Sequence, residues 1–232
     1  IGVVYQPADN ISLYANYSQS FLPNSGTTIT GDPLEPERGE GFEIGVKTEF
    51  NPNLLATLTY FNISKRNVAT ADLTDPRFSV ATGEQQSEGI ELDINGEIAP
   101  GWNLIASYSY IDAQVTEDNQ IEVGNALAGI PEHSASLWTT YSLQSGDLSG
   151  LELGLGFNWV GSRQGDLRNS FELDPYFRVD AVIAYQQENW QFALQLKNLF
   201  DVEYIAGTPR TRTRGIEPGA PFTLIGSFTY RF

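Results

Sequence analysis

Apolar and polar residues alternate along most of this chain with a period of two. From Phe42 to Phe50 the even positions carry Phe, Ile, Val, Thr and Phe, whereas the odd positions carry Glu, Gly or Lys. The same alternation runs through 151–159 and 190–197, and it closes the chain at 222–232. Because successive side chains of a strand point to opposite faces of a sheet, this pattern predicts strands with one apolar and one polar face.

The alternating segments predict eleven strands, and no segment requires a helix. Most of these strands are ten residues or longer, whereas strands of soluble proteins cluster near about 5–6 residues and a tilted strand needs about 9–11 to cross a bilayer. The predicted strands cover residues 1–6, 11–21, 39–50, 54–65, 85–98, 103–115, 132–143, 151–161, 176–185, 190–200 and 221–232.

The connections between these strands alternate between short and long. The short ones are rich in Pro, Asn, Asp and Gly and cover 7–10, 51–53, 99–101, 144–150 and 186–189. The long ones cover 22–38, 66–84, 116–131, 162–175 and 201–220. Outer-membrane barrels have short periplasmic turns and long extracellular loops. We therefore expect an all-β fold, an antiparallel up-and-down transmembrane β-barrel.

Aromatic residues gather beside the short connections and the C-terminus. Such a row is typical of the periplasmic aromatic girdle of a membrane barrel. The alternative is a set of ordinary core aromatics in a soluble sheet, and the strand lengths and sorted loops favour the membrane. The residues of this row are Tyr5, Phe50, Trp102, Tyr141, Tyr185, Trp190, Tyr230 and Phe232.

In a membrane barrel the apolar residues of each strand face lipid and the polar ones face a wet lumen. Single-chain bacterial barrels have an even number of strands, so eleven strands predict part of a larger barrel whose first strands precede this chain. With an odd number, the first and last strands run in the same direction and would have to pair in parallel. We therefore expect an antiparallel sheet that is open between its two end strands.

Composition and charge exclude several other functions. The chain of 232 residues has no Cys and a single histidine, His133, which leaves no thiolate metal site, no disulfide scaffold and no pair of catalytic histidines. We therefore expect no enzyme, no bound metal and no cofactor. With 13 basic and 29 acidic residues, the net charge of −16 has the wrong sign for nucleic-acid binding.

Short segments of the chain, taken in order, are similar to a known family. Together they resemble the C-terminal half of the barrel of a TonB-dependent receptor, of the iron-siderophore class, over essentially the whole chain. The segments are Leu34-Glu35-Pro36-Glu37, Phe42-Glu43-Ile44-Gly45-Val46-Lys47, Ser87-Glu88-Gly89-Ile90-Glu91-Leu92-Asp93, Gly101-Trp102-Asn103-Leu104, Ser107-Tyr108-Ser109-Tyr110, Pro131-Glu132-His133-Ser134, Lys197-Asn198-Leu199-Phe200-Asp201 with Tyr204, and Phe228, Tyr230 and Phe232.

The resemblance implies a 22-stranded barrel with an N-terminal plug, of which residues 1–232 are the C-terminal part, with the plug and the N-terminal strands absent. It implies energy-coupled import of a ferric siderophore as substrate across the bacterial outer membrane. The implied partners are outer-membrane lipid and lipopolysaccharide, the plug and remaining strands of the parent chain, and a TonB-type coupling complex that acts through the missing N-terminal region. A passive porin, a same-fold receptor for vitamin B12, haem or oligosaccharide, and an enzyme or adhesin barrel remain as alternatives.

The long loops carry the candidate ligand residues, because binding residues sit on loops held by a rigid scaffold. Arginine forks suit anionic, oxygen-rich chelates. The same arginines have a second interpretation as partners of lipopolysaccharide phosphates, lumen acids or plug carboxylates. The candidates are Arg163, Arg168, Phe171, Tyr204, Arg210, Arg212 and Arg214.

The C-terminal Phe228, Tyr230 and Phe232 resemble the signal that barrel-insertion machinery reads. We expect removal of Phe232 to reduce insertion of the receptor into the outer membrane.

Overall fold

The computed structural model describes residues 1–208 and 216–232, which form a long antiparallel sheet and two small two-stranded ribbons. The strands are β1 (Gly2–Ala8), β2 (Ile11–Leu22), β3 (Glu37–Asn51), β4 (Leu54–Ala71), β5 (Ser79–Ala99), β6 (Trp102–Glu117), β7 (His133–Ser142), β8 (Leu151–Val160), β9 (Arg163–Gln164), β10 (Glu172–Leu173), β11 (Tyr176–Gln186), β12 (Trp190–Lys197), β13 (Ile205–Gly207), β14 (Glu217–Pro218) and β15 (Thr223–Tyr230).

The long sheet has eleven strands in sequence order, β1-β2-β3-β4-β5-β6-β7-β8-β11-β12-β15, each antiparallel to its neighbours. The predicted number of strands and their order are confirmed. Among the described residues β1 and β15 do not pair with each other, so the sheet is open between them, as expected from the odd number. The ribbons β9–β10 and β13–β14 lie inside the last two long connections.

Two strands are much longer than the alternation predicts. The pattern ends β4 near residue 65 and begins β5 near residue 85, but the pairing continues to Ala71 and Ser79 with register shifts around Val68. This outer part of the hairpin has no regular apolar alternation, because it lies beyond the apolar part of the sheet, where neither face needs to be apolar. The predicted loop 66–84 is therefore mostly paired strand.

The first strand also extends further than predicted, through Pro7 to Ala8. Its register with β2 shifts between Tyr5 and Ala8. Proline lacks a backbone N–H and is tolerated at a bulge, and Pro7 lies at this register shift.

One face of the sheet is apolar and exposed. On β8 Leu153 and Leu155 are about half exposed, whereas Gly154 and Gly156, which alternate with them, lie against the side chain of Trp138 on the opposite face. The alternating residues of β8 thus separate onto two faces in the way the sequence predicts. We call these the apolar face and the polar face.

The apolar face ends in a row of tyrosines toward the long loops. On β4 the outward positions change from Leu58 and Tyr60 to Asn62, and both Tyr60 and Asn62 donate hydrogen bonds to Glu88. Tyr108 shares a hydrogen bond of 2.9 Å with the Nδ1 of His133 in the same row. Amphipathic rings with one polar contact suit a membrane interface. Sequence reasoning found only the row at the opposite end.

The polar face is built from small residues covered by neighbouring aromatic rings. A Cβ on Gly45 would lie 2.5 Å from the ring of Tyr14, and one on Gly156 would lie 2.4 Å from Trp138. Tyr14 also reaches across β3 to share a hydrogen bond of 2.6 Å with Thr59. These glycines allow rings to lie flat on the sheet. A ring that does so, such as that of Tyr14, can link two strands that are not adjacent.

Some of the buried apolar side chains lie at the long loops. Leu34, Val115 and Leu173 are almost completely covered, and each lies in or beside a long connection. Each of these loops therefore buries an apolar side chain of its own.

Candidate binding surface at the long-loop end

All long connections leave the sheet at one end, which we call the long-loop end. The short turns lie at the other end, between β1 and β2, β3 and β4, β5 and β6, β7 and β8, and β11 and β12. The sorting of loops by length that the sequence predicts is confirmed. The candidate binding surface is therefore the end of the sheet where the long loops meet.

Neighbouring long loops are tied to one another by hydrogen bonds. Asn24 of the first long loop donates to the carbonyl of Asn67 on the β4–β5 hairpin, at 2.8 Å. Asn119 of the next loop donates to the Thr70 hydroxyl of the same hairpin, at 3.1 Å. The hairpin thus joins the loops on either side of it.

The remaining loops continue this chain of contacts. The Asn169 side chain accepts from the Ala126 N–H and donates to the Ala126 carbonyl, both at 2.9 Å. The Thr208 hydroxyl donates to the carbonyl of Gly165 at 3.1 Å. The long loops therefore form one connected platform, in which each loop is fixed by its neighbours. We call it the loop platform.

Asn198 anchors the last long connection to the sheet. Its side chain is 1% exposed, donates to the carbonyls of Val202 and Ala220, and accepts from the Val202 N–H. Its own N–H donates to Asp180, and its φ of 51° lies in the left-handed region that asparagine tolerates. The family-like segment around Asn198 is therefore a structural brace, which the sequence alone did not reveal.

Two of the predicted ligand residues make internal contacts. Arg163 is 5% exposed and donates to the Ile205 carbonyl at 2.6 Å. Its guanidinium carbon Cζ lies 5.6 Å from the ring centroid of Tyr176. Tyr204 is half-buried and packs against Tyr176 with ring centroids 4.4 Å apart, and its hydroxyl accepts a hydrogen bond from Arg178. These side chains link the loop platform to the top of β11.

The other predicted residues differ in their surroundings. Arg168 is exposed on the connection between β8 and β11, and on the same connection the half-buried ring of Phe171 covers Gly165. Arg210, Arg212 and Arg214 lie outside the described residues. The structure therefore places Arg163, Arg168 and Phe171 on one long connection and Tyr204 on the next, with Arg168 at the surface. A ligand role for all seven residues stays a prediction.

The loop around Asp166 is closed by a capped turn. Asp166 accepts from the Ser170 hydroxyl at 2.7 Å and from the Ser170 N–H at 2.9 Å, and these bonds lower the pKa of the Asp166 carboxyl. Hydrogen bonds to an ionised carboxylate favour the charged form. The turn is thus stabilised by the negative charge of Asp166 at neutral pH.

Within residues 1–208 and 216–232, no group of three or more His, Asp or Glu side chains is arranged to hold a metal ion. The same residues form no helix long and apolar enough to cross a membrane.

A family model described as "TonB dependent receptor-like, beta-barrel" matches residues 1–199. The chain is 38% identical over 235 residues to the metal-pseudopaline receptor CntO of Pseudomonas aeruginosa, covering all of this chain and 33% of that protein. It is 36% identical over 238 residues to the ferrichrome outer membrane transporter/phage receptor of Escherichia coli, covering all of this chain and 31% of that protein.

Solved structures show the same fold. The crystal structure of the siderophore receptor PiuA from Acinetobacter baumannii superposes with a TM-score of 0.86 at 26% identity, covering 99% of this chain and 35% of that one. This chain spans about a third of the length of the curated relatives it matches. The family match over 1–199 and the exposed apolar face place the chain in a bacterial outer membrane, and the chain belongs to the TonB-dependent receptor β-barrel family.

Proposed function

We propose that the complete receptor containing this chain binds a ferric siderophore at its outer surface and imports it by energy coupling. The observation that carries the proposal is the loop platform on a barrel wall of this family. Receptors for such chelates need extracellular loops held in fixed positions, and here each long loop is bonded to the next. The relatives named above are a metal-pseudopaline receptor and a ferrichrome transporter, which supports a metal chelate as the substrate class.

The partners of the receptor form part of the same proposal. The apolar face contacts outer-membrane lipid, and the polar residues beyond the tyrosine row face the lipopolysaccharide head groups. A plug and further strands of the complete receptor complete the barrel, and a TonB-type complex supplies the energy. The chelate is cargo, so the receptor works as a transporter without a resident cofactor and without an enzymatic step.

Binding of labelled chelates tests this proposal. The complete receptor, expressed in a host strain without its own ferric siderophore receptors, is offered ⁵⁵Fe-loaded ferrichrome, ferrioxamine B and pyoverdine. We expect saturable uptake of at least one chelate that stops when the inner-membrane energy coupling is removed. Unsaturable passage of small solutes without energy coupling would instead support the porin alternative.

The three arginines at 210, 212 and 214 test the site within the proposal. Replacing Arg210, Arg212 and Arg214 together with Ala should weaken chelate binding by about 1–3 kcal/mol, the scale of hydrogen bonds to charged groups. The loss should shrink at higher salt, because exposed charges are screened. Arg77→Ala is the matched control, since Arg77 is exposed on another long loop and pairs with Asp75. Unchanged affinity at low salt, with normal receptor abundance, would assign the three arginines to another role.

A further inference from the structure

Two arginines face each other on the outside of the sheet, beyond the tyrosine row. Arg38 on β3 is the direct cross-strand partner of Arg66 on β4. The register of these strands is regular from Arg38 to Glu49, so both arginines lie on the same side as Phe42 and Tyr60, which is the side of the apolar face. Like charges directly opposite each other destabilise a sheet, so this pair needs a negative charge nearby.

The described residues supply little negative charge to the two arginines. Glu84 lies 3.4 Å from Nε of Arg66, but 56% of the arginine side chain and 38% of the glutamate side chain are exposed, and exposed ion pairs contribute little. Arg38 is exposed and has no carboxylate of the described residues within 4.0 Å. The nearby Glu40 accepts a hydrogen bond from Gln19.

On the polar face of the same two strands, opposite charges pair. Glu37 and Lys65 each precede one of the two arginines by one residue, and they form an ion pair at 2.7 Å. Among the residues that the structure describes, Arg38 and Arg66 are the two basic residues of the long sheet on its apolar side. The other basic residues of its strands lie on the polar face, and these are Lys47, Lys65, Arg178 and Lys197.

The position of Arg38 along β3 matches the head-group layer of the outer leaflet. Arg38 lies four residues beyond Phe42, which is about 13 Å along a strand at ~3.3 Å per residue. For a strand tilted by about 35–45° this is roughly 9–11 Å nearer the outside. The head-group layer adds about 5–8 Å on each side of the hydrocarbon core, and a long arginine side chain can reach toward it.

The surroundings of Arg38 suit an anion that also has an apolar part. Phe21 is its cross-strand partner on β2 and is 77% exposed on the same side of the sheet. A hollow of about 310 Å³ lies beside these two side chains, with Gln19 and Glu40 also in its lining. Guanidinium groups bind phosphate through paired N–H donors, and the exposed ring offers an apolar contact beside them.

We propose that Arg38 and Arg66 bind a phosphate of lipid A, the phosphorylated lipid anchor of lipopolysaccharide, in the outer leaflet. Their N–H groups donate to the phosphate oxygens, and Phe21 contacts the lipid beside the phosphate. This inference rests on the lipid contact given under the proposed function and is independent of which chelate the receptor imports.

Native mass spectrometry of the purified complete receptor in detergent measures the binding of lipid A. The probes are lipid A with both phosphates and the same lipid with its phosphates removed. The wild type should bind the phosphorylated lipid about tenfold more tightly, because hydrogen bonds to charged groups are strong. Equal binding of the two lipids would overturn the proposal. Displacement of the lipid by an equal concentration of inorganic phosphate would also overturn it, because the site would then take a free anion.

Substitutions assign this preference for the phosphorylated lipid to the two arginines. Arg38→Gln combined with Arg66→Gln should abolish the preference, whereas Arg38→Lys combined with Arg66→Lys keeps both charges and should retain part of it. Arg77→Gln removes an exposed arginine between β4 and β5 and should leave the preference unchanged. A preference that survives in the glutamine variant, or an equal loss in the lysine and glutamine variants, would overturn the proposal. None of these readouts involves iron uptake, so the lipid site and the proposed import of a chelate can fail independently.

Discussion

The two faces of this sheet place opposite demands on their residues. On the apolar face, large side chains such as Leu58, Leu155 and Phe228 are about half exposed or more. On the polar face, rings lie over glycines, and polar groups bond across strands, as between Tyr14 and Thr59. The side of the sheet with specific packing is thus the polar one, which reverses the usual arrangement of a soluble protein.

The two faces constrain their residues in different ways. The apolar face requires only that its side chains be apolar, because lipid fits around any shape. The polar face requires particular shapes, because each ring needs a glycine opposite and each hydroxyl needs a partner. The effect of a substitution should therefore depend on its polarity on the apolar face and on its size and shape on the polar face.

The largest effect should come from a charge placed on the apolar face. Leu58→Arg is expected to destabilise the complete receptor by about 2–4 kcal/mol, the cost of Arg near the bilayer midplane. The adjacent Thr57→Arg is the control, since Thr57 lies on the polar face between Lys47 and Asp93. Urea unfolding in lipid vesicles measures both variants. Equal losses at the two positions would contradict the assignment of faces.

A methyl group added on the polar face should destabilise the receptor more than one added on the apolar face. Gly156→Ala would place a Cβ 2.4 Å from Trp138 and 2.6 Å from the carbonyl oxygen of Leu137. Overpacking of this kind costs about 1–3 kcal/mol. In Gly226→Ala the new methyl group would lie on the apolar face of β15, with no atom of the described residues within 4 Å, and this substitution should be nearly neutral. The same unfolding measurement compares them, and a larger loss for Gly226→Ala would refute the steric distinction.

A single hydroxyl should have a smaller effect. Tyr14→Phe removes the bond to Thr59 while keeping the ring over Gly45. The expected loss of unfolding free energy is about 0.5–1.5 kcal/mol, the usual net value of one hydrogen bond. Tyr5→Phe on the exposed apolar face of β1 serves as the comparison. If both tyrosines lose the same amount, the bond across β3 contributes nothing to stability.

The smallest effect should appear in the loop closed by Asp166. Hydrogen bonds lower the pKa of this carboxyl below its usual 3.8. The stabilisation is therefore complete above pH 3.8 and is lost as pH falls through the lower folded-state pKa. Hydrogen exchange at the Ser170 amide, corrected for intrinsic rates, should show constant protection from pH 5 to 8 and a loss at more acid pH. A loss of protection already near pH 6 would contradict a role for this carboxylate.

The strands and their faces are predictable from sequence because alternation is a local property. Within a strand, the polarity of neighbouring residues such as Leu155 and Gly156 indicates which face each residue lies on, and the apolar face must be apolar on every strand. The sorting of the loops follows for the same reason, since the alternation marks where each strand ends.

The long-loop end of the molecule is not predictable in the same way. The outer half of the β4–β5 hairpin lies beyond the lipid and has no reason to alternate, so its strands look like loop. The contacts of Arg163 depend on Tyr176 at the start of β11 and on Ile205 in the next long connection. Asn198 likewise acquires its role only when Val202 and Ala220 meet around it.

The most direct test of the two-faced sheet uses spin labels on single cysteines along one strand. Labels at positions 90 to 95 of β5, in the complete receptor reconstituted in lipid, report accessibility to oxygen and to a water-soluble nickel chelate. We predict high oxygen accessibility at 90, 92 and 94, and high nickel accessibility at 91, 93 and 95, because Ile90 and Leu92 lie on the apolar face and Glu91 and Asp93 on the polar face. Loss of this period of two, or the opposite assignment of positions, would contradict it.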